Sequence, residues 1–454
     1  MERCFGRLLL KRECEVLEQW SRAEIEALGG EVYPAIERLK ASYRCGRCGN
    51  QKPELFQVNA CQCAGKPCVY CLNCLGFGKV RSCDELYYFP ARGVFPKSST
   101  SLLQLSMTLS PAQERLSENL VTFLKQGQDH LLWAVTGAGK TEMLFKALDV
   151  ALSQGLMVGL AAPRVDVINE LKPRLQDAFP TVKSQCLYAG SPDEYQWLPL
   201  TLCSTHQLLR FKEAFDLLII DEVDAFPFAG EATFQWAAKR AVKSTGVRFY
   251  LTATPGKEEQ RQMRAGELSA SILPARYHRQ PLPVPKHCYV GPWRQELECG
   301  LVPGRLRQQM AQWLQKGYRF LVFLPHIALM LQLEKNLRKL WPKARFTSVS
   351  SKDPKRLAKV EAMRAETYDF LLTTTILERG VTFPNIHVLV LGSEDPIFTA
   401  SALMQISGRV GRKPWAATGE ILFLHYGKTR ASQQAIQQIK SLNQKARKEG
   451  LLDE

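Results

Sequence analysis

The sequence predicts an α/β protein: two parallel-sheet lobes preceded by a small cysteine-rich module. Three observations carry that prediction. Short apolar runs alternate with amphipathic stretches from residue 109 onward, ten of the fourteen cysteines fall within residues 1–83, and a glycine-rich loop lies between a strand-like run and a helical one. Strand runs separated by helical patterns indicate βαβ units and therefore a parallel sheet.

Along the chain, residues 1–40 have helical spacing of apolar residues and predict a helical lead-in. Residues 41–85 hold the clustered cysteines, and residues 86–108, with Pro90, Pro96 and the run Ser98-Ser99-Thr100-Ser101, read as a linker. The runs HLLWAV, MVGLAAP, FDLLIIDE and VRFYLTAT mark the strands of a first lobe over 109–273. Pro274, Pro281, Pro283 and Pro285 mark 274–299 as a hinge. The runs RFLVFLP, YDFLLTT and VLVLGS place a second lobe at 300–454, closed by a polar helix whose Ile436, Ile439 and Leu442 share a docking face.

Bulk properties narrow the function classes. The 454 residues suffice for several independent cores. The net charge of +16 is uneven: +4 over residues 1–100, −2 over 101–270 and +14 over 271–454. A concentrated positive excess suits a nucleic-acid backbone, although a basic solvated surface or affinity for anionic lipid has the same composition. No apolar run reaches the 18 residues that a membrane-spanning helix needs. The early run Leu8-Leu9-Leu10 is too short for a signal-peptide core, so a cytoplasmic protein is expected. In that compartment, clustered cysteines point to metal rather than disulfides.

Cys45-x2-Cys48 and Cys71-x2-Cys74 are two knuckles separated by 22 residues. Four thiolates make a closed tetrahedral zinc site with no open coordination position, so the expected role is structural and not catalytic. Cys68-x2-Cys71 is also a CxxC, so the register can shift, and Cys61, Cys63, Cys68 and Cys83 are either a second ligand set or spare thiols.

AVTGAGKTEM, Ala134 to Met143, follows a strand pattern and precedes a helical one, which is the setting of a phosphate-binding loop. Gly137 and Gly139 let the backbone approach phosphates closely. Thr136, Gly137, Ala138, Gly139, Lys140, Thr141 and Glu142 are assigned to ATP, with Lys140 on the β/γ-phosphates and Thr141 on Mg²⁺. In FDLLIIDEVDAF a buried strand ends at Asp221-Glu222. Asp221 is expected to hold Mg²⁺, and Glu222 to deprotonate the attacking water. Two acids at a strand end can also be plain surface charge. Gln113, upstream in LSPAQE, is expected at the adenine edge, where an exposed helical glutamine would look the same.

Further segments complete a recognisable set in order over about 300 residues. Thr252-Ala253-Thr254-Pro255 resembles the motif that couples nucleotide and nucleic-acid sites in superfamily 2 helicases. TTTILERGVTFP (Thr373 to Pro384) resembles their motif V, and QISGRVGR (Gln405 to Arg412) their motif VI. With PRVDV, STHQLL, DEVDAFPF and the cysteine module in front, nearly the whole chain resembles the ComFA family of late competence proteins in Gram-positive bacteria.

That resemblance implies two RecA-like lobes, ATP hydrolysis with Mg²⁺, and a structural Zn²⁺ on Cys45, Cys48, Cys71 and Cys74. It makes Arg409 and Arg412 arginine fingers for the γ-phosphate; the bland reading is a basic patch on a strand backbone. Arg164, Thr205, His206, Gln207, Thr373, Thr374 and Thr375 fall where the family grips single-stranded DNA, although Arg164 could equally form a surface ion pair and Thr205 cap a loop. Phe226 and Phe228 either stack on bases or pack under their loop. Many relatives carry a nucleotide-contacting acid late in motif V; this chain has Thr382 there, which is left out of the site. The implied role is an ATP-driven motor for uptake of transforming DNA, partnered by other competence proteins and a membrane DNA channel, with at most peripheral membrane association. Two alternatives stay open: a replication-restart or RNA helicase, and a zinc-containing DNA-binding adaptor with a vestigial ATPase. Restart helicases of the primosomal type resemble this motor but carry their zinc cysteines inside the helicase region, whereas here they precede it.

Overall fold

The computed structural model describes residues 2–40, 42–59, 61, 68–91, 95–105, 107–379, 381, 383–412 and 414–453. It divides into two compact units. One comprises Met1–Trp133 with Lys140–Ser271, the other Ala134–Gly139 with Ile272–Glu454.

The first unit is built on a seven-stranded sheet in the order Ser184–Leu187, Leu200–Ser204, Val158–Ala162, Phe215–Ile220, Val242–Thr252, His130–Ala134, Ser269–Leu273. The pairings from the first of these through His130–Ala134 are parallel. Leu217 to Ile220 are all buried because helices cover both faces of a parallel sheet, which is why the segment reads as an unbroken apolar run. The helix Pro111–Gln126 illustrates local encoding. Ser110 accepts from the Gln113 amide, Pro111 occupies the first turn, and Gly127 closes the end in the left-handed region at φ +69°.

The second unit carries a six-stranded sheet, parallel throughout, in the order Lys286–Tyr289, Ile421–His425, Ile386–Leu391, Arg319–Phe323, Phe370–Thr373, Phe346–Val349. The closing helix Arg430–Lys448 buries Ala435, Ile439 and Leu442. Its Asn443 exchanges two hydrogen bonds with the Leu282 backbone, at 2.8 and 2.9 Å.

Three expected boundaries are corrected. The lead-in 1–40 is not simply helical: beside the short helices Glu15–Glu18 and Arg22–Ala27 it contains the strands Leu8–Leu10 and Glu31–Pro34. Both pair antiparallel with Glu85–Tyr88. That partner lies some fifty to eighty residues downstream, and local periodicity cannot reveal it. The same strand opens the stretch expected as a linker, so the N-terminal fold runs on through buried Phe89. The expected hinge 274–299 contains the strand Lys286–Tyr289 and the helix Trp293–Glu298, with Trp293 and Leu297 in the core of the second unit. Proline there shapes an edge strand's approach rather than a free joint.

His130 opens the strand that leads to the glycine-rich loop. Its ring stacks on Phe123 with 4.0 Å between centroids, and its two nitrogens lie 2.8 and 2.9 Å from the Ser269 and Ser271 hydroxyls. Burial pulls its pKa down to about 4. Between pH 4 and pH 6.5 the unfolded chain therefore binds more protons than the folded one, so this contribution is complete above pH 6.5 and is lost on acidification. The loss should reach about 3 kcal/mol. Urea unfolding from pH 4.5 to 7.5 should show a steeper acid decline for the wild type than for His130→Gln; parallel profiles would contradict the assignment.

Candidate nucleotide and metal sites

Lys140 and Thr141 are the first residues of the helix Lys140–Ser153, where backbone N–H groups are unpaired within the helix and attract anions. Glu142 instead accepts from the Arg174 guanidinium, which directs it to the neighbouring helix. Ser117 donates to the Met143 carbonyl at 2.8 Å and ties this helix to Pro111–Gln126. Gln113 is buried, and its Oε1 accepts from the Ser110 amide at 2.8 Å, so the expected adenine reader is also a capping residue.

Asp221 and Glu222 leave the C-terminal end of Phe215–Ile220, the sheet edge where ligands of open α/β folds bind. Only the strand Val242–Thr252 separates this strand from His130–Ala134, a spacing of about 10 Å between strand axes. The Asp221 amide donates to the Ala161 carbonyl at 2.9 Å, and the Glu222 amide to Asp221 Oδ1 at 2.8 Å. Glu222 has φ +53°, a strained conformation for a non-glycine residue and one that clusters at functional sites.

Asp224 was not singled out from the sequence, although it is the third acid of DEVD. It accepts from the Thr252 hydroxyl at 2.7 Å and from the Thr254 hydroxyl. The acid motif and the TATP motif are thus one hydrogen-bonded unit. Beyond it, Phe226 is 74% exposed whereas Phe228 is buried. The two aromatics divide between the readings, and only Phe226 is available to stack.

In the second unit, Gly137 and Gly139 have φ of +81° and +79°, which the tight loop requires. The Gly137 carbonyl accepts from the Tyr277 amide at 3.3 Å, and a Cβ on Gly408 would collide with the Thr136 side chain. Arg409 is 1% exposed, and its Nε donates to the Glu378 carbonyl at 3.0 Å, linking motif VI to motif V. Arg412 is half-buried and donates to the Gly408 carbonyl at 3.1 Å.

Arg276 is a further residue that sequence reasoning missed. It is buried, donates to the carbonyls of Gly411 and Gly408, and has its pKa drawn down to about 9 by burial and then by Arg412. Its place in the proline-rich stretch gave no signal. Thr382 and Cys63 lie outside the described residues.

The expected strand-gripping side chains are placed less uniformly. Arg164 stands at the N-terminus of Val165–Ala178, half-buried. Thr205 and Thr373 are wholly buried, the latter donating to the Val349 carbonyl at 3.1 Å. They sit at or just beyond the ends of covered parallel strands, which shields both side chains in this structure. Thr374 is buried and Thr375 half-buried. His206 packs between Phe77 and Phe234, each 5.0 Å away, and burial lowers its pKa. Gln207 accepts from Arg210 at 3.2 Å.

The sulfurs of Cys45, Cys48, Cys71 and Cys74 all lie within 4.8 Å of one another and are buried. The Cys45–Cys74 and Cys48–Cys71 separations are 3.7 and 3.6 Å, close to the edge of about 3.8 Å of a tetrahedron with Zn–S bonds of about 2.3 Å. Four thiolates this close cannot coexist without a cation. The thiols of Cys45 and Cys74 are pushed up by their hydrogen-bonded neighbours, and Cys48 is held down by hydrogen bonds from Cys45, Cys71 and Cys74. The cluster can therefore hold a metal ion, and its soft, closed donor set suits zinc.

This cluster belongs to the first unit's core. Arg240 donates to the carbonyls of Gly46 and Leu209, both at 2.7 Å, and of Phe211 at 3.1 Å, with its guanidinium over the Trp236 ring. Asn73 donates to Thr233 at 2.8 Å. Glu13 accepts from Arg47 and from Arg210, joining the lead-in to a knuckle and to the STHQLL segment.

Comparison with known proteins agrees with this architecture. The competence protein ComFA N-terminal domain matches residues 1–88, the res subunit of type III restriction enzymes residues 106–257, and the helicase conserved C-terminal domain residues 304–414. Competence protein ComFA of Bacillus subtilis (strain 168) is 39% identical over 91% of this chain and 88% of its own length. The chain belongs to the ComFA family. ComFA of Streptococcus pneumoniae strain R6 is 38% identical over 92% of this chain and 94% of its own. Among solved structures, the helicase Lhr of Mycobacterium smegmatis bound to ssDNA and AMP-PNP covers 74% of this chain and 50% of its own, at 15% identity and a TM-score of 0.54. It shares the two RecA-like lobes. This ComFA-family chain is thus a helicase-like protein of the ATP-hydrolysing class, and among its described residues no helix is long and apolar enough to cross a membrane.

Replacing Arg240 by methionine keeps the aliphatic stem and strips three carbonyls of their donors. The change should lower stability by about 2–4 kcal/mol. Chemical unfolding of the full chain reads this directly, and an unchanged midpoint would show that the guanidinium contributes no net stability.

Proposed function

We propose that this chain is an ATP-driven motor on single-stranded DNA that serves the uptake of transforming DNA in competent bacteria. The observation that carries the reading is that Lys140 and Thr141 open the helix that follows the strand His130–Ala134, while Asp221 and Glu222 leave the C-terminal end of a parallel strand two places away in the same sheet, with Asp224 linking that end to the TATP motif through two threonine hydroxyls. It gains support from the family membership and from the charge of +14 over residues 271–454, which suits a polyanionic strand.

In this reading Thr136, Gly137, Ala138 and Gly139 cradle the phosphates through backbone N–H groups, Lys140 neutralises the β/γ-phosphates, and Gln113 meets the adenine. Thr141 and Asp221 would hold Mg²⁺, which supplies charge neutralisation across the phosphate oxygens. Glu222 takes the proton from the attacking water as the bond to the γ-phosphorus forms and that to ADP breaks. Arg412 and Arg409 meet the charge on the transferring group. Strand contacts fall to Arg164, Gln207, the backbone around Thr205 and Thr373 to Thr375, and the exposed ring of Phe226. The four-cysteine cluster holds structural zinc. The partners are single-stranded DNA and a competence uptake machinery that includes a membrane DNA channel, reached from the cytoplasmic face.

ATP turnover with and without single-stranded DNA tests the reading. DNA should stimulate hydrolysis, and Lys140→Ala should lower it by roughly a hundredfold or more. Equal stimulation by RNA would favour an RNA or restart helicase. Absence of turnover in the wild type would favour an adaptor, and a Lys140→Ala variant as fast as its parent would sink the phosphate-loop assignment.

A further inference from the structure

A second group of sulfurs stands apart from the four-cysteine cluster. Cys61, Cys68 and Cys83 have Sγ atoms all within 4.8 Å of one another, and Cys61 and Cys83 are 3.7 Å apart. That separation matches those in the first cluster and a tetrahedral zinc–thiolate edge.

The backbone explains the convergence. Cys68 and Cys71 bound the strand Cys68–Cys71, and residues three apart on a strand face opposite ways. One strand therefore delivers Cys71 to the first cluster and Cys68 to the second, so this CxxC is not a knuckle.

Cys83 is brought in by a turn clasped to the same strand. Ser82 exchanges hydrogen bonds with the Val69 backbone at 2.7 and 3.0 Å. Asp84 accepts from the Arg81 amide at 2.9 Å and from the guanidinium groups of Arg81 and Arg12. The turn is held from both sides before any ligand arrives, and the three donors come from three separate segments, which a shared ion would staple together.

We propose that Cys61, Cys68 and Cys83 form a second zinc site in the reduced chain. Cys61 is disulfide-bonded in this structure, so the site is completed by thiol–disulfide exchange with a cellular dithiol. The dithiol gives two electrons and becomes the disulfide, and the protein disulfide becomes two thiols. Each of the three thiols then loses its proton to solvent as its sulfur binds the ion. Water or a fourth donor completes the coordination. The reducing cytoplasm expected for this chain keeps the site competent.

The test is metal stoichiometry on the full chain, reduced, loaded with zinc and desalted. The wild type should hold two zinc ions. Cys83→Ser should hold one, and so should the double variant Cys45→Ser/Cys48→Ser. Cys83 is exposed, so its serine variant perturbs little packing. Cobalt loading gives a reading that does not depend on that variant's folding: thiolate-to-cobalt charge-transfer absorbance should persist in Cys45→Ser/Cys48→Ser at roughly half the wild-type value. A wild type with one zinc, or a Cys83→Ser variant that retains the wild-type count, would overturn the proposal.

Discussion

The N-terminal module and the first lobe are joined most extensively through the half-buried guanidinium of Arg240. Arg240 lies on a lobe helix, yet its three hydrogen bonds end on the Gly46 carbonyl inside the first CxxC and on the carbonyls of Leu209, which closes the STHQLL segment, and Phe211 just beyond it. Burial draws its pKa down to about 9, which still leaves it charged at neutral pH, as a donor to three carbonyls should be. The Glu13 bridge between Arg47 and Arg210 repeats the device a short distance away. Cations held by backbone carbonyls on one side and by a carboxylate on the other would be costly to separate from their partners. The cysteine cluster is therefore better regarded as part of the motor lobe's core than as an appended finger.

This arrangement bears on how chemistry and strand binding are connected. The helix bearing Arg240, Ala232–Ala241, follows the DEVD segment directly, and its Phe234 packs on His206 of STHQLL. On the other side, Asp224 connects DEVD to Thr252 and Thr254. The acid motif thus has two rigid neighbours in the same unit, one leading to TATP and the other to the segment packed on the cysteine module. A metal in that module would stiffen one of the two.

The sequence made the catalytic elements legible because their chemistry is local. A glycine-rich loop between a strand and a helix, and an apolar run ending in two acids, each reveal their place within about ten residues. The N-terminal fold was misread because its pairing is remote: Leu8–Leu10 finds its partner only at Leu86–Tyr88, and three leucines in a row fit a helix as well as a strand. Thr205 and Thr373 were expected to touch a strand because they sit in the right motifs, but burial decides what a side chain can meet, and burial depends on what covers the strand ends. Arg276 and Arg240 carry no pattern at all, since an arginine that serves backbone carbonyls is recognisable only from the carbonyls around it.

Hydrogen exchange on the full chain, with the four-cysteine cluster metal-loaded and then stripped by a chelator, tests most directly whether module and lobe share one core. On stripping, amides of Ala232–Ala241 and Thr205–Arg210 should lose protection together with those around Cys45 to Cys48. Loss confined to the knuckles, with the helix and the STHQLL segment as protected as before, would contradict the account.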